Sequence, residues 1–365
     1  MGYINSIYSE LYLDNLQHTT CSRQNTAYRY SSIQQKRQQW LALWKTKSVS
    51  SLADQEVNPN SVTPHHHYIY ITLLTCSKPG IGEAIAHNLA SKGCSLLLNF
   101  TSESSRHRTE TLCTTLSTTH GIRCHSVQAD LSNAQQASET ILAAAKQHFT
   151  DSTGHLRIDI LINNAGVSQD RFLNDPSKGP MDAAYFHWHY TINVLAPLLL
   201  TQRIAPYFPV AGSTTAGKRT ARIVNISSVS SSMGFTGQSV YGGTKAALEA
   251  MTRTWARELA HCATVNAVNP GPVVGDMYFA TGEEFWTQMQ GFQDATPLSA
   301  VVPGDANVEN TLSSEEKTLI QEKMGGRRPA FTSEVAGVVG MLCTEDGGWT
   351  TGSVVCANGG MRMGL

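Results

Sequence analysis

Short apolar runs alternate with amphipathic stretches along most of this chain, from Tyr68 onward. The runs are rich in branched side chains, as strands are, and the longer stretches repeat their apolar residues at helical spacing. This pattern predicts strands at residues 68–74, 96–100, 125–128, 158–162, 222–226, 264–268 and 353–357. It predicts helices at residues 81–92, 105–118, 135–149, 182–205, 239–260 and 335–342.

The regular alternation of strand and helix determines the fold class that we expect. Strands that are apolar throughout are typical of a parallel sheet whose two faces are both covered by helices. Because crossovers between parallel strands are right-handed, the expected fold is a doubly wound α/β sheet. Ligands of such sheets bind beyond the carboxyl ends of the strands, so residues that follow strands are the candidates for a functional site.

Residues 1–64 lack this alternation and are rich in Ser, Thr, Gln and Asn. Three interpretations stay open for them: a poorly ordered extension or gene-prediction error, a mitochondrial transit peptide, or lipid attachment at Gly2. We predict a poorly ordered extension followed by one domain over residues 65–365. The transit-peptide interpretation depends on basic residues between Asp14 and Asp54, where no acid occurs: Arg23, Arg29, Lys36, Arg37, Lys45 and Lys47.

Composition narrows the class of protein further. The chain has 365 residues, 41% of them hydrophobic, which is enough for one large core with an appendage. Its net charge of −1 gives no indication of nucleic acid or an acidic membrane as a partner. Its eight cysteines are scattered without a CxxC pair, so we expect reduced thiols in a cytoplasmic protein, with no disulfides and no metal. No apolar run approaches the roughly 18 residues that a membrane span needs.

Candidate chemistry lies in the helix predicted at 239–260. Tyr241 and Lys245 are four residues apart, which places both side chains on one helix face. An ammonium one turn away favours the phenolate and lowers the tyrosine pKa from about 10 towards neutral pH. Ser228 precedes Tyr241 by thirteen positions, and its hydroxyl can help Tyr241 to hold a carbonyl oxygen. A bare Tyr/Lys pair is usually an ordinary surface pair, so the other motifs of the chain decide whether this pair is catalytic.

A glycine-containing turn joins the first predicted strand to the first helix. Backbone N–H groups at a helix N-terminus attract phosphate, and Gly80 and Gly82 let the backbone approach it closely. A plain strand-to-helix turn is the alternative interpretation of this segment.

Taken together, these motifs resemble the short-chain dehydrogenase/reductase family, in particular its β-ketoacyl reductase-like members. They occur in the family's order and spacing, from about residue 68 to the C-terminus. The resemblance implies a single-domain Rossmann fold and a homotetramer formed through helices 182–205 and 239–260. The residues that carry it are Thr75 to Gly82 (TCSKPGIG), Asp130, Asn163-Asn164-Ala165-Gly166, Asn193, Ser228, Tyr241, Lys245 and Asn269-Pro270-Gly271-Pro272.

The resemblance also implies a role for each residue of a catalytic tetrad. Tyr241 donates a proton to the substrate oxygen during reduction, and Ser228 polarises the carbonyl. Lys245 lowers the pKa of Tyr241 and holds the nicotinamide ribose, while Asn193 holds a water that relays protons to Lys245.

The implied cofactor is NADP. A carboxylate after the second strand would bond the ribose 2′-hydroxyl of NAD, but the sequence there is Asn99-Phe100-Thr101-Ser102. Arg106 or Arg108 could assist a 2′-phosphate, whereas Glu103 argues mildly against one. The expected cofactor-binding residues are Thr75, Ser77, Lys78, Gly80, Ile81, Gly82, Thr101, Ser102, Asp130, Leu131, Asn163, Ala165, Gly166, Tyr241, Lys245, Pro270, Gly271 and Val273.

Two positions depart from the family pattern. Cys76 stands where the family has its first glycine, and Gly275 where it often has threonine. Residues 276–324 correspond to the family's substrate lid, and their aromatic residues either contact an apolar substrate or anchor helices on the core. We expect NADPH-dependent reduction of a ketone, either a β-ketoacyl or a polyketide-like carbonyl compound. The alternatives are a non-catalytic nucleotide-binding or scaffold protein and an NAD-dependent secondary-alcohol dehydrogenase.

Overall fold

Seven parallel strands form the central sheet of the computed structural model, which describes residues 71–75, 80–210, 221–279, 282–302 and 304–363. Their order across the sheet is β3-β2-β1-β4-β7-β8-β9, so the chain moves outward in both directions from β1. A separate two-stranded antiparallel hairpin consists of β5 and β6. The strands are β1 (Ile71–Thr75), β2 (Ser95–Phe100), β3 (Cys124–Gln128), β4 (Ile160–Asn163), β5 (Asn174–Asp175), β6 (Gly179–Pro180), β7 (Ala221–Ile226), β8 (Ala263–Pro270) and β9 (Val354–Ala357).

Helices connect these strands as the alternating pattern predicts, and the doubly wound Rossmann fold is confirmed. Among the described helices, none is long and apolar enough to cross a membrane. The helices are α1 (Ile81–Ala90), α2 (Arg106–His120), α3 (Ala134–Phe149), α4 (Ala183–Tyr190), α5 (Ala196–Ile204), α6 (Ser230–Met233), α7 (Ser239–Glu258), α8 (Asp276–Phe279), α9 (Glu283–Asp294), α10 (Ala306–Thr311), α11 (Ser314–Lys323) and α12 (Thr332–Cys343).

Each face of the sheet has its own hydrophobic core, because successive side chains of a strand point to opposite faces. In β2, Leu97 packs with α3, α5 and α7, whereas Leu96 and Leu98 pack with α1, α2 and α12. All three leucines are buried, which explains why the central strands are apolar throughout. Because helices cover both faces, the carboxyl ends of the strands are left at one edge of the sheet, where a site can form.

The largest difference from the predicted elements is the helix expected at 182–205. The structure divides it into α4, a π-helical segment at Thr191–Leu195, and α5. Local pattern does not reveal this widening, because the apolar spacing continues across it. π-helical turns are rare and occur frequently at functional sites.

We call residues 276–324 the lid, after the role that the sequence predicts for them. Their described part consists of short helices that share a small core of their own. Tyr278 and Trp286 are buried in it, and the Trp286 indole donates to the Tyr278 carbonyl at 3.3 Å. The lid aromatics are therefore largely structural anchors of helices, one of the two interpretations that the sequence allows. The other buried members of this core are Val308, Leu312, Ile320, Met324 and Phe331.

The predicted extension at residues 1–64 lies outside the described residues, as do Cys76, Ser77 and Lys78. Six cysteines lie within them, and all six are free thiols: Cys94, Cys113, Cys124, Cys262, Cys343 and Cys356.

Candidate active site

The predicted site residues converge because β1, β4, β7 and β8 are neighbours and end at the same edge of the sheet. Ser228 follows β7 by two residues, and Gly271 follows β8 directly. The helix that carries Tyr241 and Lys245 begins at Ser239 and packs against β8. Parallel register thus brings together residues that are more than forty positions apart in the sequence.

Tyr241 and Ser228 lie in direct contact. Burial raises the pKa of Tyr241, a hydrogen bond with the Ser228 hydroxyl opposes this shift, and the nearby Asp170 carboxylate adds to it, so the net direction is upward. The sequence predicts that Lys245 lowers this pKa. In the structure its Nζ lies 5.7 Å from the tyrosine ring centroid and instead donates to the Ile226 carbonyl, so burial of the phenol prevails. Tyr241 is therefore a protonated phenol at neutral pH in this state.

Lys245 is a buried cation, with 4% of its surface exposed. Its Nζ donates to the backbone carbonyl of Ile226 at 2.8 Å. Burial lowers its pKa to about 8, and the Glu249 carboxylate one turn later partly opposes this shift. A lysine that titrates so close to neutral pH is typical of a functional site.

Asn193 lies buried in the π-helical segment and connects two parts of the site. Its amide donates to the Val167 carbonyl at 2.9 Å and accepts from the Val167 N–H at 2.9 Å. The same Nδ2 contacts the Thr244 hydroxyl at 3.0 Å, on the helix of the Tyr/Lys pair. A Cβ on Gly166 would lie 3.2 Å from the Lys245 Nζ and 3.3 Å from the Asn193 Oδ1, so a side chain at Gly166 would crowd both.

The N-terminus of α1, which begins after Gly80, has features that suit phosphate binding. Gly80 caps the helix with φ 153°, a conformation that side-chain-bearing residues rarely adopt. A Cβ there would meet no atom within 4 Å, so the backbone conformation and not crowding requires glycine. The first backbone N–H groups of α1, including those of Ile81 and Gly82, have no partner within the helix. The residues present therefore fit the pyrophosphate of a dinucleotide.

β2 and β3 are parallel neighbours of β1, so the segments that follow them begin at the same edge of the sheet as the one after β1. Thr101 is half-buried, and the exposed Ser102 hydroxyl lies 2.8 Å from that of Ser104. Asp130 is exposed and accepts the backbone N–H of Ser132 at 2.9 Å, while Leu131 is buried in the core. The first β-strand ends at Thr75, whose backbone is paired with β2.

Asn163 turns its side chain into the sheet. Its Nδ2 donates to the Asn225 Oδ1 at 2.8 Å, and its buried Oδ1 has no hydrogen-bond partner among the described residues. The side chain thus joins β4 to β7. Ala165, two residues on, packs against the core, and Gly166 lies at the Lys245 ammonium.

The end of β8 and the loop that follows carry the remaining residues that the sequence predicts to contact the cofactor. Pro270 is buried at the end of the strand, and a Cβ on Gly271 would lie 3.3 Å from Asn358. Val273 pairs in parallel with Ala330 just before the lid begins. This loop therefore runs from the catalytic edge of the sheet to the lid.

Sequence analysis missed a row of polar side chains that extends from Ser228. The Ser228 hydroxyl donates to Ser230 at 3.0 Å, and Ser230 donates to the Gln238 Oε1 at 2.7 Å. The Gln238 Nε2 lies 3.4 Å from the Asp170 Oδ2. Burial raises the pKa of Asp170, against the effect of the Gln238 hydrogen bond. The signal available in the sequence was the Ser- and Gly-rich composition of residues 228–239.

A cavity of about 770 Å³ adjoins this row. Ser230 and Gln238 line it, together with Gly242 and Gly243, which follow Tyr241. Arg171 and its neighbours to residue 174 also line it. Within the described residues, no group of three or more His, Cys, Asp or Glu side chains could hold a metal ion.

Comparisons with known proteins agree with this geometry. A family model described as short chain dehydrogenase matches residues 70–284. An L-xylulose reductase of Aspergillus niger is 74% identical over 80% of this chain and 96% of its own length. An L-xylo-3-hexulose reductase of Hypocrea jecorina is 53% identical over 81% of this chain and 97% of its own. Among solved structures, a blue fluorescent protein from a metagenomic library in complex with NADPH has a TM-score of 0.61 and 26% identity, covering 80% of this chain and 98% of that one.

The family model and the two reductases span the segment in which the structure brings the Ser, Tyr, Lys and Asn residues together. The chain belongs to the short-chain dehydrogenase/reductase family, and it is an oxidoreductase that acts on alcohol and ketone groups.

Proposed function

We propose that this protein is an NADPH-dependent reductase of a polyhydroxy ketone, a ketose of the L-xylulose type. The observation that carries the proposal is the hydrogen-bonded row from Ser228 through Ser230 and Gln238 to Asp170. It presents donors and acceptors, beginning at the carbonyl-polarising serine, to a substrate that bears a hydroxyl group on each neighbouring carbon. A site built to hydrogen-bond hydroxyl groups rejects analogues that lack them, because its polar groups would be left unpaired.

The names of the relatives support a ketose over a β-ketoacyl thioester. The two ketose reductases are 74% and 53% identical to this chain. A relative named 3-oxoacyl-[acyl-carrier-protein] reductase, from Aquifex aeolicus, is 30% identical. We therefore favour the ketose and keep the acyl substrate as a comparison in the assay.

Reduction follows from the positions of the chain's own groups. The Tyr241 phenol, whose pKa burial holds above its usual value, gives its proton to the carbonyl oxygen as that oxygen becomes an alkoxide. Ser228 donates a hydrogen bond to the same oxygen, and the Lys245 ammonium stabilises the phenolate that remains. A bound nicotinamide cofactor supplies the hydride. Asn193 holds the Val167 segment against α7, and we propose that it orders the water that returns a proton towards Lys245.

NADP is favoured over NAD by the charges after β2. The one carboxylate in the turn that follows Phe100, on Glu103, is paired with the Arg106 guanidinium at 2.7 Å. Arg106 also lies over the Phe100 ring, 5.3 Å from its centroid. The hydroxyls of Thr101 and Ser102 are thus left as the groups nearest to the ribose of a bound dinucleotide.

The cofactor proposal predicts the effect of Thr101→Asp. The new carboxylate would repel a 2′-phosphate and could bond a 2′-hydroxyl, so the ratio of kcat/KM for NADPH to that for NADH should fall at least about tenfold, since roughly 1.4 kcal/mol is a factor of ten. Thr101→Asn, which is nearly isosteric and uncharged, is the matched control. An unchanged ratio in the aspartate variant would refute this placement of the ribose.

The substrate proposal is tested by turnover of L-xylulose and of an acetoacetyl thioester with NADPH. We expect the ketose to be turned over with the higher kcat/KM, and Gln238→Leu to raise its KM at least about tenfold by removing one hydrogen-bonding partner. Gln321→Leu, an exposed glutamine of the lid, is the control. Preference for the thioester would favour the acyl substrate, and absence of any turnover would favour the non-catalytic alternative.

Three further features belong to the proposal. Residues 276–324 would cover the substrate, and residues 65–365 would form the catalytic domain. We also propose a cytoplasmic homotetramer that assembles through α4, α5 and α7.

A further inference from the structure

Glu249 is a buried carboxylate close to the catalytic residues. It lies one helical turn after Lys245 on the inner face of α7, with 8% of its surface exposed. Burying a carboxylate is costly unless hydrogen bonds compensate for the lost water, and an apolar residue in such a place often gives an equally stable protein. A carboxylate at this position therefore calls for an explanation beyond packing.

Three donors from outside the helix converge on one oxygen of this side chain. The hydroxyls of Ser227 and Ser231 each donate to the Glu249 Oε1 at 2.7 Å. The Asn269 Nδ2 donates to the same oxygen at 3.1 Å. These residues come from the end of β7, from α6 and from β8, so the carboxylate joins three elements to α7.

The donors are the residues that surround Ser228. The Ser228 carbonyl accepts from the Asn269 Nδ2 at 2.9 Å and from the Ser231 N–H at 3.0 Å. Ser227 precedes Ser228 directly, and its backbone N–H donates to Val268 of β8. The backbone of Ser228 is thus enclosed by groups that Glu249 holds.

We propose that Glu249 is a positioning residue, whose buried carboxylate fixes the turn from Ser227 to Ser231 and thereby sets the Ser228 hydroxyl against that of Tyr241. The inference rests on the proposed function, because it assigns a cause to the alignment on which carbonyl reduction depends. Three hydrogen bonds to one oxygen suit a clamp that must hold a short polar turn.

The position of the acceptor oxygen, more than its charge, is what this arrangement requires. Two variants separate the two properties. Glu249→Gln keeps an oxygen at the end of a side chain of the same length, without the charge. Glu249→Asp keeps the charge but withdraws it by one methylene from all three donors.

We expect Glu249→Asp to lower kcat for ketone reduction at least about tenfold, since misplacement of a catalytic group by about 1 Å can cost on the order of a hundredfold in rate. Glu249→Gln should keep kcat within about threefold of the wild type, because it can still accept from Ser227 and Ser231. The KM for NADPH should change little in either variant. Glu258→Gln, at the exposed end of the same helix, is the control.

Wild-type kcat in the aspartate variant would overturn the proposal, and so would an equal loss in the glutamine and aspartate variants. Crystal structures of both variants give a readout that does not depend on the substrate: the distance from the Ser228 Oγ to the Tyr241 hydroxyl should increase in the aspartate variant alone. An unchanged distance there contradicts the proposal. If the wild-type enzyme reduces no ketose, the proposed function fails while this crystallographic test still decides the role of Glu249.

Discussion

The catalytic cluster and the lid are stabilised in opposite ways. Around Ser228, buried polar side chains satisfy one another, with Glu249 and Asn269 at the centre of the hydrogen bonds. The lid core instead consists of aromatic and aliphatic side chains such as Trp286 and Phe331. Buried polar networks must be satisfied completely and therefore specify one arrangement, whereas apolar cores tolerate exchange of residues of similar volume.

This difference separates two tasks within one enzyme. The cluster fixes the reacting groups, so single atoms in it matter for rate. If residues 276–324 cover the substrate as proposed, they supply a shape beside the site, and their total packing matters more than any one hydrogen bond. Substitutions that remove a reacting group from the cluster should therefore lower kcat more than stability, and substitutions in the lid core should do the reverse.

The largest effect is expected from Tyr241→Phe. The change removes the proton donor and keeps the ring, so kcat should fall by at least about 10² to 10⁴-fold, the range of general acid catalysis. The melting temperature should change little. Tyr207→Phe, a half-buried tyrosine distant in sequence from the site, is the control. Unchanged turnover in Tyr241→Phe would refute the mechanism.

Trp286→Ala tests the lid side of the comparison. Replacing a buried tryptophan with alanine lowers folding stability by about 3–5 kcal/mol, and Trp286 belongs to the small core of the lid. We expect faster proteolysis within residues 283–324 and a larger rise in the KM for the ketone than fall in kcat. Trp349→Ala, at a tryptophan that is 96% exposed, should change neither. A fall in kcat as large as that of Tyr241→Phe would remove the distinction between the two regions.

The sheet could be predicted from sequence because its signal is local and redundant. Apolar runs such as β7 and β8 are flanked by helical patterns, and each motif residue follows a strand end. The sequence alone therefore predicts that Ser228, Tyr241 and Lys245 lie together. The lid helices were harder to predict, since short helices with a mixed pattern also resemble a long loop.

The contacts that depend on tertiary packing could not be predicted. Asn163 belongs to a motif that was assigned to the cofactor, yet its side chain joins two strands through Asn225. Glu249 has no local signal at all, because its donors come from 18 to 22 residues earlier and 20 later in the chain. The downward effect of Lys245 on the Tyr241 pKa followed from helical spacing alone, whereas burial determines the direction in the structure.

The smallest effect is expected from the deprotonation of Lys245, which should lower the rate and raise the stability as the pH increases. Its folded-state pKa of about 8 lies below its ordinary 10.5, so the ammonium that supports the phenolate is lost as the pH rises through about 8. The kcat/KM for NADPH, which reports the free enzyme, should then fall by about tenfold per pH unit.

Between pH 8 and 10.5 the unfolded chain binds more protons at this lysine than the folded one, so stability should rise with pH. Relative to Lys245→Met, the wild-type free energy of unfolding should gain up to about 3 kcal/mol across that range. Urea denaturation of both proteins at pH 7.5 and 10 measures the gain as a difference, and a pH-independent difference would show that Lys245 keeps its ordinary pKa in the folded protein.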